Sequence, residues 1–519
     1  MIVFIGFMAA GKTRAAEAAA ERLGTTVIDA DRLIEEQLGE SIAAFFEREG
    51  EAEFRRREEE LVLRLLEGRQ PGSAGDGSVV LALGGGAVES ERVREALQQH
   101  LAVWCDVDEV TAWKRAKGSG RPLAADREEF ARRFDQRREL YESVARAILP
   151  AEARDAAGSA APWLAAMLDR SGVRLAWAPS ATGSYPAIVG SGALSVLETA
   201  RGIPTGNLPE RIFCVADSAA IREHEGLLPD REATIEVEGS ESSKTISEAE
   251  RVLGELARMG VRRDDALLAF GGGVVGDLAG FCAATYQRGI PLVQAPTTLV
   301  AQVDSAYGGK TGVDLPMGKN YIGAYHQPIA VLADPATLET LPPEELAAGF
   351  VEVLKTALIA GGALWKRVRT IESLDPAELD DVIFACARTK IEVVAEDERD
   401  AGRRAVLNLG HTVGHAIEAE TGYERYRHGE AVGLGLLAAL RLSGAGELRD
   451  EVSALLEANG LPTALDTGVD TDGVMEAIGR DKKRTREGVG FVLLERPGEP
   501  RWGESVEPGR VREAVEELR

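Results

Sequence analysis

Cysteine and long apolar runs are scarce in this chain. The four cysteines, Cys105, Cys214, Cys282 and Cys386, lie far apart and form no CxxC pair, so neither a disulfide framework nor a thiolate zinc site is expected. No stretch stays apolar for the roughly 20 residues that a membrane-spanning helix needs. No basic segment precedes the first apolar stretch, as it would in a signal peptide. We therefore expect a cytoplasmic protein without a targeting or transmembrane segment.

An excess of positive charge is also absent. The 519 residues include 85 acidic and 60 basic ones, which give a net charge of -25. This balance argues against binding to nucleic acid or to an anionic membrane. An anionic small-molecule substrate must therefore meet locally placed lysines and arginines.

The length of the chain predicts two or three domains, and its pattern predicts an α/β fold. Residues 1–170 alternate short apolar runs with amphipathic stretches, which is typical of a parallel sheet with flanking helices. Residues 171–183 contain Gly, Ala and Ser and are predicted to be a linker. A second α/β pattern covers 184–333, and helical periodicity dominates 334–519. We expect a small α/β domain followed by a larger two-lobed unit.

The stretch "GFMAAGKT" lies between a predicted strand and a predicted helix and fits the phosphate-binding pattern G-x-x-x-x-G-K-[ST]. In such a loop, backbone N–H groups face the phosphates, Lys12 reaches the β and γ oxygens, and the Thr13 hydroxyl ligates Mg²⁺. The pattern predicts ATP-binding residues Gly6, Ala9, Ala10, Gly11, Lys12 and Thr13.

Charged residues that follow this loop indicate which kind of molecule accepts the phosphoryl group. Asp29 and Asp31 are two residues apart, so on an extended strand both carboxylates leave the same face. One of them could organise the Mg²⁺ water shell and the other could accept a hydrogen bond from a substrate hydroxyl. Three consecutive arginines begin at Arg55, and one that turns inward could bind a carboxylate with two hydrogen bonds. Further candidates are glycines 84–86, Arg137, and Arg121 in a lid-like segment.

The second unit has its own glycine turn. In "LLAFGGGVVGDLAGF" a strand leads through glycines into an apolar helix that carries Asp277, an arrangement that favours a pyrophosphate at the helix N-terminus. A loop-rich stretch with dense polar residues follows. It contains Thr297, Thr298, Asp304, Lys310, Lys319 and Asn320.

Three of the six histidines fall within 18 residues. His411 and His415 are four residues apart and share one face of a helix, and His428 follows after a turn. Glu352 lies in an apolar helix, where an unpaired charge would be costly. This grouping predicts a metal or catalytic site with Glu352 as a carboxylate partner.

Residues 1 to about 170 resemble shikimate kinase in the order of their motifs: the phosphate loop, "DAD", "GEAEFRRRE", "LGGGAV", "RPL" and "RELYESVA". The resemblance implies a P-loop kinase fold, catalytic roles for Lys12, Asp31 and Arg121, and closure of Arg121 over the phosphates. It implies shikimate contacts at Asp31, Arg55, Gly85 and Arg137. Ala9 stands where the family usually has glycine, so an added methyl could perturb the loop if that position needs a positive φ. A degenerate domain kept for binding or scaffolding is the alternative.

Residues from about 175 to 519 resemble 3-dehydroquinate synthase. The motifs "GGGVVGDLAGF", "PTTLVAQVDSAYGGKTGV", "GKNYIGAYHQP", "AGFVEVLK", "NLGHTVGHAIE" and "HGEAVGLG" carry the resemblance. It implies that Zn²⁺ is held by Glu352, His411 and His428, while His415 contacts the substrate. The implied substrate pocket contains Arg288, Asp304, Lys310, Asn320, Lys355, Lys390, Arg404 and Asn408, with Lys482 or Lys483 closing it. The implied NAD contacts are Asp217, Glu241, Lys244, Gly272, Gly273, Asp277, Thr297, Thr298, Lys319 and Asn320.

Together these resemblances imply a bifunctional enzyme of the route to chorismate. The expected fold is a P-loop kinase domain followed by a Rossmann-like NAD-binding lobe and a mainly helical metal-binding lobe. The expected cofactors are NAD, Zn²⁺ or Co²⁺, and Mg²⁺ with ATP. Small molecules are the expected partners, and the synthase half is expected to form a homodimer. Alternatives for this half are a sugar-phosphate cyclase with another substrate, a metal-dependent polyol dehydrogenase, or an inactive scaffold.

Overall fold

The computed structural model describes residues 1–68, 79–117, 126–151, 154–203, 208–482 and 490–519. The chain divides into two compact units. The first comprises Met1–Pro179, Ser184–Ile188 and Ser195–Glu210, and the second comprises Ser180–Gly183, Val189–Leu194 and Arg211–Arg519. Within the described ranges, no helix combines the length and the apolar character needed to cross a bilayer.

The first unit is built around a sheet with the strand order β2-β3-β1-β4-β5-β6-β7, in which the neighbouring strands from β2 to β6 are parallel. Its strands are β1 (Ile2–Ile5), β2 (Thr26–Asp29), β3 (Val79–Ala82), β4 (Leu101–Asp106), β5 (Ala147–Pro150), β6 (Arg174–Ala178) and β7 (Tyr185–Val189). Its helices are α1 (Lys12–Leu23), α2 (Ala30–Leu38), α3 (Ile42–Glu49), α4 (Glu51–Leu66), α5 (Glu91–Leu97), α6 (Glu109–Ala116), α7 (Arg127–Val144), α8 (Arg154–Ala166) and α9 (Ala193–Arg201). The central strand β1 is buried throughout and pairs with both β3 and β4.

Local signals explain where these elements end. Gly24 ends α1 in the left-handed conformation with φ of 65°, which glycine adopts readily. Asp29 ends β2 because its carboxylate accepts a hydrogen bond from the backbone N–H of Arg32 at 3.1 Å and so caps α2. Asp31 therefore lies in the first turn of a helix, and the prediction that both aspartates leave one face of an extended strand was wrong.

The segment predicted as a linker contains a strand. Residues 174–178 form β6, which pairs in parallel with β5 through Ala147 and Leu175. Leu175 is fully buried and Trp177 nearly so, and burial of these apolar side chains favours the strand over a flexible connection. Residues 68–78, which are rich in Gly and Ser and are therefore predicted to form a surface loop, lie outside the described residues apart from Gly68.

The second unit combines a parallel sheet, in the order β14-β11-β10-β8-β9, with a helical region. Its strands are β8 (Ile212–Asp217), β9 (Ala233–Val237), β10 (Ala266–Gly271), β11 (Leu292–Pro296), β12 (Lys310–Leu315), β13 (Gly318–Tyr325), β14 (Ala330–Ala333), β15 (Phe491–Leu494) and β16 (Pro500–Glu504). Its helices are α10 (Ser218–His224), α11 (Ile246–Arg258), α12 (Gly273–Thr285), α13 (Pro343–Ala360), α14 (Gly362–Val368), α15 (Asp380–Glu396), α16 (His411–Glu420), α17 (His428–Leu442), α18 (Gly446–Ala458), α19 (Thr471–Lys482) and α20 (Pro508–Glu516). The predicted α/β class is confirmed for both units.

The polar stretch after β11 is more ordered than the loop that its glycines predicted. Residues 301–305 form a π-helical turn, and β12 and β13 form an antiparallel hairpin of their own. The hairpin forms because "KTGV" and "IGAY" pair in register, from Lys310 opposite Tyr325 to Val313 opposite Ile322. Lys319 and Asn320 therefore lie on a strand and not in a loop.

All four cysteines are free and buried. Burial raises the pKa of the Cys105, Cys214 and Cys282 thiols to about 12. This arrangement agrees with the expectation that no disulfide framework is present.

Candidate functional site

In the first unit, the glycine-rich loop between β1 and α1 forms the phosphate-binding turn. The Lys12 ammonium donates a hydrogen bond to the carbonyl of Phe7 at 3.1 Å, across the loop. The ring of Phe7 packs edge-on against Phe130 and Phe134 of α7, with ring centroids 5.1 and 5.2 Å apart. Ala9 has φ of 63°, so the residue that replaces the family's usual glycine does adopt the left-handed conformation. Ala9 thus occupies a backbone conformation that favours glycine.

Two oxygen ligands suited to Mg²⁺ lie at the start of α1. The Thr13 hydroxyl donates a hydrogen bond to the Asp29 carboxylate at 2.6 Å. A hydroxyl and a carboxylate oxygen, next to a phosphate-binding loop, form a donor set that suits Mg²⁺ with phosphate ligands and water. These residues therefore fit the metal that a kinase needs.

A cavity of about 380 Å³ adjoins this loop. The sequence-predicted residues that line it are Lys12, Thr13, Asp29, Asp31, Arg55, Gly85 and Arg137. Of the three consecutive arginines, Arg55 turns inward and pairs with the buried Glu58 at 2.5 Å, whereas the other two pair with Glu53 at the surface. Burial raises the pKa of Glu58 despite this arginine.

Gly84 lies directly behind two carboxylates that line this cavity. A Cβ atom at Gly84 would lie 2.4 Å from a Glu58 carboxylate oxygen and 2.6 Å from one of Asp31. The absence of a side chain at Gly84 thus leaves room for two carboxylates that line the cavity.

The arginines of this cavity retain unused hydrogen-bond donors. Arg137 is buried, and its Nε atom donates to Glu89 at 2.9 Å. Among the described residues, Nη2 of Arg137 and Nε of Arg55 have no hydrogen-bond partner. Buried guanidinium donors without partners favour an anionic ligand. Arg121 lies outside the described residues.

In the second unit, a cleft of about 790 Å³ lies where the parallel strands end. Residues predicted to bind NAD follow the carboxyl ends of four strands, the usual place for a dinucleotide in an α/β sheet. Those that line the cleft are Glu241, Lys244, Gly272, Gly273, Asp277, Thr298, Lys319 and Asn320. Lys244 and Asp277 form a buried pair at 2.6 Å, and the glycines begin α12.

Two predicted NAD contacts lie at the edge of this set. Asp217 caps α10 by accepting a hydrogen bond from the N–H of Ala219 at 3.0 Å, and its carboxylate lies against Gly239 of the cleft. Thr297 is buried and its N–H donates to the carbonyl of Gly271 at 3.0 Å. Neither Asp217 nor Thr297 is among the cleft-lining residues, so these two predicted NAD contacts lie outside the cleft lining.

The histidine cluster forms beside this cleft. His411 and His415 lie one turn apart on α16, and His428 is the first residue of α17. The centroids of their rings are 5.1 to 5.8 Å apart. Oε1 of the buried Glu352 lies 3.6 Å from Nε2 of His411 and 3.5 Å from Nε2 of His428.

These atoms fit a metal ion. The ligand atoms of Glu352, His411 and His428 all lie within 4.8 Å of one another. Oε2 of Glu352 pairs with the Lys355 ammonium, whereas Oε1 faces the two imidazoles. Two imidazoles and one buried carboxylate with open positions are a donor set typical of catalytic zinc. His415 is not a member of this triad, but with Glu418 and His428 it forms a second group whose ligand atoms lie within 4.8 Å of one another.

Electrostatics favour a neutral His411. Burial, together with the nearby Lys355 ammonium, lowers the pKa of His411 to about 3. Burial also disfavours a charged His428, but the carboxylates of Glu352 and Glu418 outweigh it and raise the pKa to about 10. The cluster thus concentrates negative charge on two carboxylates around the imidazoles, which suits a cation.

Glu418 is a residue of this site that the sequence reasoning missed. It is buried, and one of its oxygens lies 3.4 Å from Nδ1 of His428. The other lies 3.9 Å from the Lys319 ammonium. Its position seven residues after His411 places it on the histidine face of α16, and this spacing was the available signal.

Buried charges connect the metal-binding triad to the predicted substrate pocket. Asp304, in the π-helical turn, accepts from Lys355 at 2.9 Å and also pairs with Lys390. Lys355 pairs in turn with Glu352. Burial alone would raise the pKa of Asp304, but the two ammonium groups hold it well below its usual value.

Other predicted substrate residues surround this centre more loosely. Arg404 is buried and donates to the carbonyls of Gly308 and Glu398, while Lys310 pairs with Asp400 at the surface. Of the predicted substrate residues, Asp304 and Asn320 line the cleft, whereas Arg288, Lys310, Lys355, Lys390, Arg404 and Asn408 do not; Arg288 and Asn408 are exposed. The side chain of Lys482 and all of Lys483 lie outside the described residues.

The cleft also contains polar and aromatic residues that had not been predicted. The Ser305 hydroxyl is buried, faces Gly273, and has no hydrogen-bond partner among the described residues. Tyr423 lies under the Lys319 ammonium, 4.5 Å from the ring centroid to the nitrogen, and remains half exposed. Ser305 lies within the motif "PTTLVAQVDSAYGGKTGV", next to the predicted Asp304, whereas Tyr423 lies outside the quoted motifs and is identified only by the fold.

Comparison with known proteins assigns each unit. Family models match at residues 8–167 for shikimate kinase, at 234–348 for the N-terminal part of 3-dehydroquinate synthase and at 349–484 for its C-terminal part. The 3-dehydroquinate synthase of Symbiobacterium thermophilum is 43% identical over 357 residues, which cover 64% of this chain and 98% of that protein. The synthase of Halorhodospira halophila is 42% identical over 346 residues, covering 63% and 94%.

Solved structures show the same architecture for the second unit. A 2-deoxy-scyllo-inosose synthase with carbaglucose-6-phosphate, NAD⁺ and Co²⁺ is 26% identical, with a TM-score of 0.57 over 66% of this chain and 99% of that one. A 2-epi-5-epi-valiolone synthase of Streptomyces hygroscopicus with NAD⁺ and Zn²⁺ is 24% identical, with a TM-score of 0.56 over 66% and 98%. At 24% identity, the similarity to the valiolone synthase shows a shared fold only.

Proposed function

Because the chain belongs to the 3-dehydroquinate synthase family and carries a shikimate kinase domain, we propose that it is a bifunctional enzyme of chorismate biosynthesis. The first unit transfers a phosphoryl group from ATP to shikimate. The second converts 3-deoxy-arabino-heptulosonate 7-phosphate to 3-dehydroquinate and phosphate. The observation that carries the synthase assignment is the match to nearly the full length of a curated synthase, together with its metal-suited triad.

In the kinase unit, we assign binding of the nucleotide phosphates to Lys12 and the loop N–H groups. Mg²⁺, held at Thr13 with Asp29 beside it, would neutralise phosphate charge when bound. Asp31 lies at the cavity floor, where its carboxylate can accept the proton of a substrate hydroxyl. The unpartnered donors of Arg55 and Arg137 support binding of the substrate carboxylate.

In the synthase unit, the doubly anionic substrate requires several cations despite the acidic chain. We assign this role to Lys310, Lys355, Lys390 and Arg404, with Arg288, Asn320 and Asn408 as further contacts. The Asp304 carboxylate positions Lys355 and Lys390 by pairing with both ammonium groups. His415 is close to the triad but outside it, where its imidazole can hold or move a proton of the substrate.

Two cofactors complete the proposed site. Zn²⁺ or Co²⁺ at Glu352, His411 and His428 would act as a Lewis acid that eases deprotonation of a substrate hydroxyl. NAD, against the glycine turn at Gly272, would serve as a hydride acceptor that is restored within each turnover. The Lys244–Asp277 ion pair lines the same cleft as this turn and can orient a polar group of the dinucleotide.

The alternative functions are not favoured. A polyol dehydrogenase would release reduced cofactor and would not require so many cations for a phosphate and a carboxylate. A cyclase for a substrate without a carboxylate would not need Arg404 and Lys390 in addition to the phosphate-binding residues. An inactive scaffold would be expected to have lost charged site residues, which are present in both units.

We further propose a cytoplasmic homodimer formed through the synthase unit. The four free, buried cysteines support a reducing compartment. The dimer rests on the family resemblance, and light scattering of the purified chain tests it, since a monomeric mass at assay concentration would contradict it.

The direct test follows phosphate release and NADH absorbance together, after the heptulosonate phosphate is mixed with enzyme, NAD and Zn²⁺. Phosphate release without accumulated NADH is expected of the synthase. Stoichiometric NADH without phosphate would instead indicate a dehydrogenase. In paired variants, His411→Ala should abolish phosphate release and leave shikimate phosphorylation intact, and Lys12→Ala should do the reverse. Loss of both activities in a folded variant would contradict two independent sites.

A further inference from the structure

Glu89 lies between the two arginines of the kinase cavity, although no motif pointed to it. It ends the short 3₁₀ turn Ala87–Glu89, which follows the glycines of the cavity floor. One carboxylate oxygen accepts a hydrogen bond from Nε of Arg137 at 2.9 Å. The other lies 3.5 Å from Nε of Arg55. A single carboxylate therefore faces both guanidinium groups.

The contacts cover only part of each guanidinium edge. In arginine, the Nε and Nη2 hydrogens point to one side and together can hold a carboxylate by two parallel hydrogen bonds. On Arg137, Glu89 takes Nε, while Nη2 has no hydrogen-bond partner among the described residues. On Arg55, the Nε contact is too long for a hydrogen bond and Nη2 reaches Glu51 at 3.3 Å. Glu89 thus faces the Nε and Nη2 edges of both guanidinium groups but leaves part of their N–H donors without a hydrogen bond.

The arginines do not depend on Glu89 for their positions. Nη1 of Arg55 donates to the buried Glu58 at 2.5 Å. Arg137 is buried, with its guanidinium carbon 5.7 Å from the centroid of the Phe7 ring. The side chain of Glu89, in contrast, is 39% exposed, so its carboxylate can turn into water by a change of rotamer.

We propose that Glu89 is an internal substitute for the carboxylate of the kinase substrate, and that it must leave the edges of Arg55 and Arg137 when that substrate binds. This inference rests on the proposed kinase function. Glu89 therefore lowers the affinity for the substrate. The substrate carboxylate must displace the Glu89 carboxylate, because the two negative charges would otherwise lie side by side. In the absence of substrate, the same contact compensates two partly buried cations.

The test compares Glu89→Gln and Glu89→Ala with the parent enzyme in steady-state shikimate phosphorylation. Glu60→Gln is the matched control, since it removes an equal charge from an exposed position that pairs only with Arg56 among the described residues. We expect the KM for shikimate to fall roughly two- to five-fold in Glu89→Ala, the equivalent of one partly exposed ion pair. The expected change in Glu89→Gln is smaller, and kcat and the KM for ATP should stay within about two-fold.

A neutral ligand separates competition from a general structural effect. The methyl ester of shikimate, measured as a competitive inhibitor, should bind the parent enzyme and Glu89→Ala equally well. A rise in the KM for shikimate would show that Glu89 positions the arginines and would overturn the proposal. An equal gain for shikimate and its ester would overturn it too, because the carboxylate would not be the competing group. If the parent enzyme fails to phosphorylate shikimate, the proposed function falls, and this inference falls with it.

Discussion

The change Glu352→Gln tests whether the buried charges of the synthase unit balance one another. Glu352 and Asp304 carry two negative charges, and Lys355 and Lys390 carry two positive ones. Burial would raise the pKa of Glu352, but Lys355 outweighs it and lowers the pKa to about 2, so the carboxylate is ionised. His428, which Glu352 and Glu418 keep protonated, and Glu418 add one charge of each sign, so these six charges sum to zero in the metal-free protein.

Removal of one charge leaves an uncompensated cation in a buried place. We expect Glu352→Gln to lower the free energy of unfolding of this unit by about 3–5 kcal/mol, the usual effect of breaking a buried ion pair from one side. Adding Lys355→Met restores neutrality, since Asp304 then pairs with Lys390 alone. The double variant should therefore be more stable than the single one, within about 1–2 kcal/mol of the parent.

Hydrogen exchange of the backbone amides of α13, after dialysis against EDTA, measures this effect within the full chain. It reports the opening of this helix separately from the kinase unit. Glu344→Gln, an exposed change on the same helix, is the control and should cost less than about 0.5 kcal/mol. Unchanged exchange in Glu352→Gln, or additive losses in the double variant, would refute the charge-balance argument.

Three further changes probe the two sites. Gly84→Ala places a methyl 2.4 Å from a Glu58 oxygen, so shikimate phosphorylation should fall at least about ten-fold. Phosphate release by the synthase unit should be unaffected. Normal kinase activity would contradict the steric argument. Glu418→Gln removes the carboxylate beside Nδ1 of His428, and titration with Zn²⁺ should show about ten-fold weaker binding. An unchanged affinity would mean that Glu418 does not orient the imidazole. Ala9→Gly should alter the free energy of unfolding of the kinase unit by less than about 1 kcal/mol in thermal unfolding. Glycine relieves the backbone strain of the left-handed conformation but also increases the entropy of the unfolded chain, and the two effects oppose each other. A larger change would show that the loop is strained.

The sequence predicted those parts of the sites that depend on local spacing. The P-loop and the pair His411 and His415 follow from the geometry of one turn and one helix, and both lie as predicted. The approach of Glu352 to these histidines was not a matter of spacing, since 59 positions separate it from His411. That contact was expected from the family resemblance and from the cost of burying an unpaired carboxylate.

Other features depended on contacts that a linear pattern does not contain. Asp29 was expected within an extended strand, but its side chain caps a helix and so ends the strand. Residues 174–178 looked like a linker because of their Gly, Ala and Ser neighbours, yet their apolar side chains pair with β5. Glu89 became visible only when distant segments placed two arginines beside it.

The burial of all four cysteines has a practical consequence for experiments on this enzyme. A thiol with its pKa raised by burial reacts slowly with maleimides, because the thiolate is the nucleophile. A cysteine introduced at an exposed position, such as Glu60→Cys, should therefore take up a fluorophore or spin label selectively, without prior removal of the native thiols. One label in each unit would then allow distances between the two units to be measured in solution during turnover.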